Sequence, residues 1–146
     1  IRTLARVDTL VINEAEVRQL ANEPNLVKAA SIVRSFGPKT LVVKRGEYGV
    51  LMFGAHSIFS APAYPLEEVF DPTGAGDTFA GGFVGYLAST RNLEESNLRK
   101  AIVFGTVMAS FTVERFSLDR LRNLEYQEIE DRYRRIKLLT DFGQLD

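Results

Sequence analysis

Runs of apolar residues divide the chain into short blocks whose period changes along its length. V-D-T-L-V-I-N at 7–13 is a short apolar run of the kind a buried strand shows. It passes directly into N-E-A-E-V-R-Q-L-A-N-E, whose spacing predicts a short helix broken by Pro24. Over 25–36, Leu26, Ala29, Ala30, Val33 and Phe36 fall on one helical face, and Gly37-Pro38 ends the run. T-L-V-V-K-R-G at 40–46 predicts a second buried strand. Strand, helix and strand at this spacing form a βαβ unit, so the two strands are expected to be parallel with a right-handed crossover.

The next two apolar blocks, G-V-L-M-F-G at 49–54 and S-I-F-S-A-P-A-Y at 57–64, flank the turn Gly54-Ala55-His56. They predict a hairpin at a sheet edge, because Pro62 has no N–H to give to a ladder. Phe79, Phe83, Tyr86 and Leu87 then recur at helical spacing. A following stretch, about Leu98–Glu114, is apolar nearly all round and is expected to be a buried helix. In the tail, Ile129, Tyr133 and Ile136 share a face, with acids early and bases late as the helix dipole favours. The pattern is that of one α/β unit over 1–146: a mostly parallel sheet with an antiparallel edge hairpin and helices on both faces.

Composition narrows the chemistry. With 18 basic and 19 acidic residues and a net charge of −1, no overall field favours nucleic acid or an anionic membrane as a partner. There are no cysteines, which excludes disulfides and thiolate metal sites and fits a reducing, cytoplasmic location. His56 is the single histidine, so no site can be built from several; at a hairpin tip it reads as a solvated turn residue. No apolar run reaches the roughly 18 residues of a membrane span.

One stretch asks for a chemical explanation. D-P-T-G-A-G-D-T-F-A-G-G at 71–82 sets glycines and an acid directly ahead of a helix. A glycine inside an element costs roughly 0.5–1 kcal/mol relative to alanine. A glycine-rich turn opening a helix aims unpaired N–H groups outward at the positive end of the dipole, which is an anion site. An acid there is useful if it removes a proton from a hydroxyl attacking the bound phosphoryl group. The stretch lacks the Gly-Lys-Ser/Thr of a Walker loop and the third glycine of the dinucleotide fingerprint, where Phe79 stands. The same residues also describe a plain helix start, with Thr73 as cap and Asp77 in the first turn.

D-P-T-G-A-G-D-T-F-A-G-G resembles the C-terminal signature of the ribokinase-like, phosphofructokinase-B type carbohydrate and nucleoside kinases. That resemblance implies a ribokinase-like fold, ATP and Mg2+ as cofactors, and a small sugar or nucleoside as acceptor. It implies Asp77 as catalytic base and the amides of Gly74, Ala75 and Gly76 as the anion hole, with Asp71 beside the cofactor. N-x-x-E at Asn13–Glu16 resembles the family motif that organises magnesium, partly through water; it also has the form of a capping box. In K-R-G-E-Y-G, Lys44 is a candidate phosphate ligand, and Gly46 and Gly49 permit close approach. A tight turn with solvated bases explains the same residues, and Arg45 stays unassigned. Phe104, Gly105 and Met108 match the helix face that the family packs against adenine; a helix-interior glycine equally suits a neighbouring helix. After the buried helix the chain reads V-E-R-F-S-L, without the glycine turn several members use near a monovalent cation, so no potassium site is assigned.

The resemblance places the chain as the donor-nucleotide and catalytic half of such a kinase. The sugar-facing half and its lid, through which a homodimer could form, are not in the sequence. Two alternatives stand beside a sugar or nucleoside kinase: a non-catalytic nucleotide-binding or regulatory module, and a kinase for a vitamin precursor.

Overall fold

Short apolar runs in the first 61 positions build a four-stranded sheet, described here from a computed structural model that covers residues 2–145. The strands are β1 (Thr9–Asn13), β2 (Thr40–Lys44), β3 (Val50–Phe53) and β4 (Ile58–Ala61), in the spatial order β1-β2-β3-β4. β1 and β2 are parallel, with Thr9 opposite Thr40 and Asn13 opposite Lys44. The β2–β3 and β3–β4 pairs are antiparallel. The α/β sheet is therefore mixed, but with one parallel and two antiparallel pairs it is less parallel than expected, because the chain turns straight back after β2 at Arg45–Gly49. β2 lies inside it, and its Leu41, Val42 and Val43 are fully buried. β4 is an edge strand whose last residue, Ala61, precedes Pro62, so the missing N–H falls outside the ladder.

Two helices make the crossover, α1 (Glu14–Ala21) and α2 (Leu26–Ser35). Asn22 in the left-handed region ends α1, and the side chain of Asn25 caps α2 by accepting from the Lys28 N–H. Val17, Leu26, Ala29, Ala30 and Val33 of these helices pack with Leu41, Val43 and Phe53 of the sheet as one core cluster. Gly37 closes α2 at φ 143°, where a Cβ would lie 2.4 Å from the Leu4 carbonyl oxygen, so no other residue fits.

The chain packs as two compact units, Ile1–Ala61 and Pro62–Asp146. The second is built from α3 (Ala75–Thr90), α4 (Glu95–Thr112) and α5 (Tyr126–Leu139). The apolar run of α4 is buried as predicted, with Leu98, Ala101, Ile102, Val107 and Phe111 inside. Its start lies at Glu95 rather than near Leu98, because the polar turn ahead of the apolar run is helical too. α5 packs Ile136 with Val107 and Phe111, and Ile129 and Tyr133 line the same cluster. Among the described residues no helix is long and apolar enough to cross a membrane.

Candidate functional site

In the first unit, the parallel strands β1 and β2 end side by side at Asn13 and Lys44. The C-terminal ends of parallel strands are where α/β sheets hold ligands. Asn13 and Glu16 form a capping box: the Glu16 N–H donates to Asn13 Oδ1 at 2.8 Å, and the Asn13 N–H donates to Glu16 Oε2 at 3.0 Å. The box leaves Glu16 exposed, with its second oxygen outside it. Arg45, left unassigned by the sequence, donates from Nε to Glu14 Oε2 at 2.9 Å and lies over the Tyr48 ring. Glu14 also takes the Arg18 guanidinium, and the hydrogen bonds from Arg18 and then Arg45 hold its carboxyl below the ordinary value. These contacts tie the turn after β2 to the start of α1. In that turn Gly46 and Gly49 have φ of 57° and 83°, and Arg45 N–H donates to the Gly49 carbonyl at 2.8 Å. Both glycines are thus required by the turn itself.

In the second unit, residues 70–78 form a turn fixed at both ends. The N–H groups of Phe70 and Asp71 donate to the Val113 carbonyl at 2.8 and 3.3 Å. Asp71 then folds the chain by accepting the Thr73 N–H at 2.9 Å, and this contact together with the Thr73 hydroxyl holds its carboxyl low. Thr73 does not cap the helix. Gly74 is the N-cap, at φ 81° and ψ −5°, and no side chain caps α3. The expectation for Thr73 fails because its hydroxyl is engaged by Asp71 and the left-handed residue that opens the helix falls one position later. The Ala75 N–H donates to the Pro72 carbonyl at 3.2 Å and the Thr78 N–H to the Gly74 carbonyl at 2.9 Å. The amides of Gly74, Gly76 and Asp77 have no acceptor among the described residues. A Cβ at Gly74 would meet nothing within 4 Å, so the turn opens onto free space. Asp77, in the first turn of α3, is exposed, and its carboxylate has no hydrogen-bond partner among the described residues.

Gly105 and Met108 lie on α4 where it crosses α3. A Cβ at Gly105 would come within 2.8 Å of the Phe79 carbonyl oxygen, and one at Gly82 within 3.1 Å of Gly105 Cα and of Met108. The cost of a glycine in the middle of α4 is therefore explained by close approach of α3. Met108 is half-buried beside it, and Phe104 packs on Tyr86 with ring centroids 5.4 Å apart. Sequence reading did not single out Thr112, Val113 or Glu114, which hold the turn from behind. Thr112 Oγ1 donates to Thr78 Oγ1 at 2.9 Å. The signal was a threonine fully inside an apolar helical run, a position that demands a partner for its hydroxyl.

A family model described as pfkB family carbohydrate kinase matches residues 1–122. The cytidine kinase of Thermococcus kodakarensis is 40% identical over 94 residues, which cover 63% of this chain and 34% of that protein. Among solved structures, the aminoimidazole riboside kinase from Salmonella enterica, complexed with aminoimidazole riboside and an ATP analog, superposes with a TM-score of 0.80 at 25% identity. That match covers 90% of this chain and 44% of the other. A putative ribokinase II from E. coli in complex with ATP and Mg2+ gives a TM-score of 0.75 at 26% identity, over 92% of this chain and 41% of the other. The chain thus spans less than half the length of each of these relatives. The match over most of its residues, with the D-P-T-G-A-G-D turn inside it, shows that the chain belongs to the pfkB family of carbohydrate kinases.

Proposed function

We propose that the chain carries the nucleotide-donor and catalytic functions of an ATP-dependent kinase that phosphorylates a hydroxyl of a small sugar or nucleoside. The observation that carries this reading is the Asp77 carboxylate, exposed and unpartnered, beside two unpartnered glycine amides and an open space. Asp77 takes the proton of the attacking hydroxyl. The amides of Gly74 and Gly76 stabilise the phosphoryl group in transit at the positive end of α3, with Ala75 sharing its N–H with Pro72. Asp71 shapes the turn rather than reacting, since its carboxylate is already engaged by Thr73. Gly105 serves the site by letting α4 approach α3, and Met108 offers an apolar surface for a purine.

In the first unit, Lys44 neutralises donor phosphates, while Gly46 and Gly49 keep the neighbouring backbone bare. Magnesium bound with the nucleotide supplies charge neutralisation at the phosphates. Among the described residues no three His, Cys, Asp or Glu side chains form a metal cage. That suits a Mg2+ ion held mainly by phosphates and water, to which Asn13 and the free oxygen of Glu16 would reach as outer partners. The relatives named as cytidine and aminoimidazole riboside kinases favour a riboside-type acceptor.

A non-catalytic nucleotide-binding module derived from such a kinase would not require a free carboxylate next to an anion site, where it repels phosphate. The test is Asp77→Asn in the full-length protein that contains this chain, assayed for ATP turnover against a panel of sugars and nucleosides. We expect kcat to fall about 10²-fold or more with little change in KM for ATP. Wild-type turnover in that variant would remove Asp77 from the chemistry.

A further inference from the structure

We propose that the C-terminal end of α4, residues Thr112, Val113 and Glu114, is a clamp that positions the Asp77 turn, with Glu114 locked in place by Arg120 and Arg132. The inference rests on the kinase reading for its consequence in catalysis, and on hydrogen bonds for its existence. The turn has few contacts of its own: its interior bonds are the local ones of Asp71, Pro72 and Gly74. What fixes it to the rest of its unit is a three-residue segment. The Val113 carbonyl takes the N–H groups of Phe70 and Asp71 at the entrance, and the Thr112 hydroxyl bonds that of Thr78, one residue beyond Asp77. Both ends of the loop that carries the base are thus held by consecutive residues, the last of α4 and its C-cap Val113.

Those residues need an anchor, because a helix C-terminus frays. Glu114 supplies it. Its Oε1 accepts from Arg132 Nη2 at 2.6 Å and its Oε2 from Arg120 Nε at 3.1 Å, so both carboxylate oxygens are engaged. Arg132 also donates from Nη1 to Ser110 Oγ at 3.0 Å, and Arg120 pairs with Glu128 of α5. Both guanidinium groups lie over the Phe111 ring, 3.6 Å from its centroid for Arg132 and 5.0 Å for Arg120. The side chains of Arg132, Arg120 and Glu114 are only 15%, 21% and 23% exposed, so solvent screens this network much less than a surface pair. Removing one partner leaves a half-buried charge uncompensated and frees the last turn of α4.

The test uses the full-length protein and three variants: Glu114→Gln, Thr112→Val and Thr112→Ser. Thr112→Val keeps the buried shape and loses the hydroxyl; Thr112→Ser keeps the hydroxyl. Amide hydrogen exchange at Phe70 and Asp71 reads the clamp directly. Glu114→Gln is expected to speed that exchange about tenfold while protection at Val107, inside α4, is retained. In turnover, Glu114→Gln and Thr112→Val are each expected to lower kcat about tenfold with KM for ATP within about twofold, and Thr112→Ser to restore it. Unchanged exchange at Phe70 and Asp71 in Glu114→Gln overturns the clamp, as does a kcat loss that Thr112→Ser fails to restore. A wild-type protein that turns over no acceptor overturns the kinase reading instead, and the exchange rates still decide for or against the clamp.

Discussion

Replacing Gly74 by alanine isolates the conformational demand of the turn from every other effect. Gly74 sits at φ 81° and ψ −5°, in the left-handed region, and a Cβ there would touch nothing within 4 Å. No clash contributes, so the whole cost is that of holding an L-residue in that region, about 1–2 kcal/mol. Alanine also restricts the unfolded chain, which offsets about 0.4–1 kcal/mol. The net loss is then on the order of 0.5–1 kcal/mol. With a urea m-value of about 1–3 kcal/mol/M, the midpoint should fall by roughly 0.2–1 M. Gly81→Ala is the matched control: it also faces open space but lies in the interior of α3 without positive φ. There alanine should stabilise by about 0.5–1 kcal/mol through helix propensity. Asparagine at 74, which tolerates the left-handed region, should fall between glycine and alanine. The assay is urea unfolding followed by far-UV circular dichroism on the three variants side by side. If Gly74→Ala proves as stable as Gly81→Ala, the left-handed cap assigned to Gly74 is wrong.

Two further outcomes follow from contacts elsewhere. Gly105→Ala gains about 1 kcal/mol of helix propensity but drives a methyl to 2.8 Å from a backbone oxygen of α3, an overpacking that costs about 1–3 kcal/mol; net destabilisation of roughly 1 kcal/mol should appear in the same urea assay, and a stabilised protein would refute the close crossing. Glu14, whose carboxyl is held below its ordinary value of 4.5 by Arg18 and Arg45, adds stability that is fully present above that pH and lost as pH falls through the lowered value. Urea midpoints measured from about pH 6 to about pH 3 should therefore fall less steeply in Glu14→Gln than in wild type, and parallel curves would show that the pair is not formed.

Much of the framework is legible in the residues because it rests on local rules. The apolar blocks at 7–13 and 40–46, the stop at Gly37-Pro38 and the hairpin turn at Gly54–His56 each encode one element. The Asn13–Glu16 spacing encodes its capping box, and that box is formed. What was not legible depends on topology. Arg45 meets Glu14 only because parallel pairing lays the ends of β1 and β2 together, 31 residues apart in sequence. The close neighbour of Gly105 could be a helix or a purine until α3 supplied Phe79. At the signature turn, the sequence points to Thr73 as cap, whereas the Asp71 carboxylate engages the Thr73 hydroxyl and the cap is Gly74.

The same contact separates the roles of the two acids in D-P-T-G-A-G-D. A carboxylate that accepts hydrogen bonds in its charged form is a weaker base, because those bonds are lost on protonation. Asp71 is in that position: Thr73 holds it ionised, and its work is to bend the chain. Asp77 is spared by the geometry that Asp71 creates. With Gly74 as cap, no side chain caps α3, its Gly76 and Asp77 amides stay open, and the acid in the first turn keeps both oxygens available. The helix-start reading and the proposed base reading of Asp77 are compatible, since a first-turn carboxylate without a hydrogen-bond partner among the described residues stays open to a substrate hydroxyl. Gly74 opens the helix without a capping side chain, and on the proposed reading that leaves Asp71 to shape the turn and Asp77 to meet the substrate.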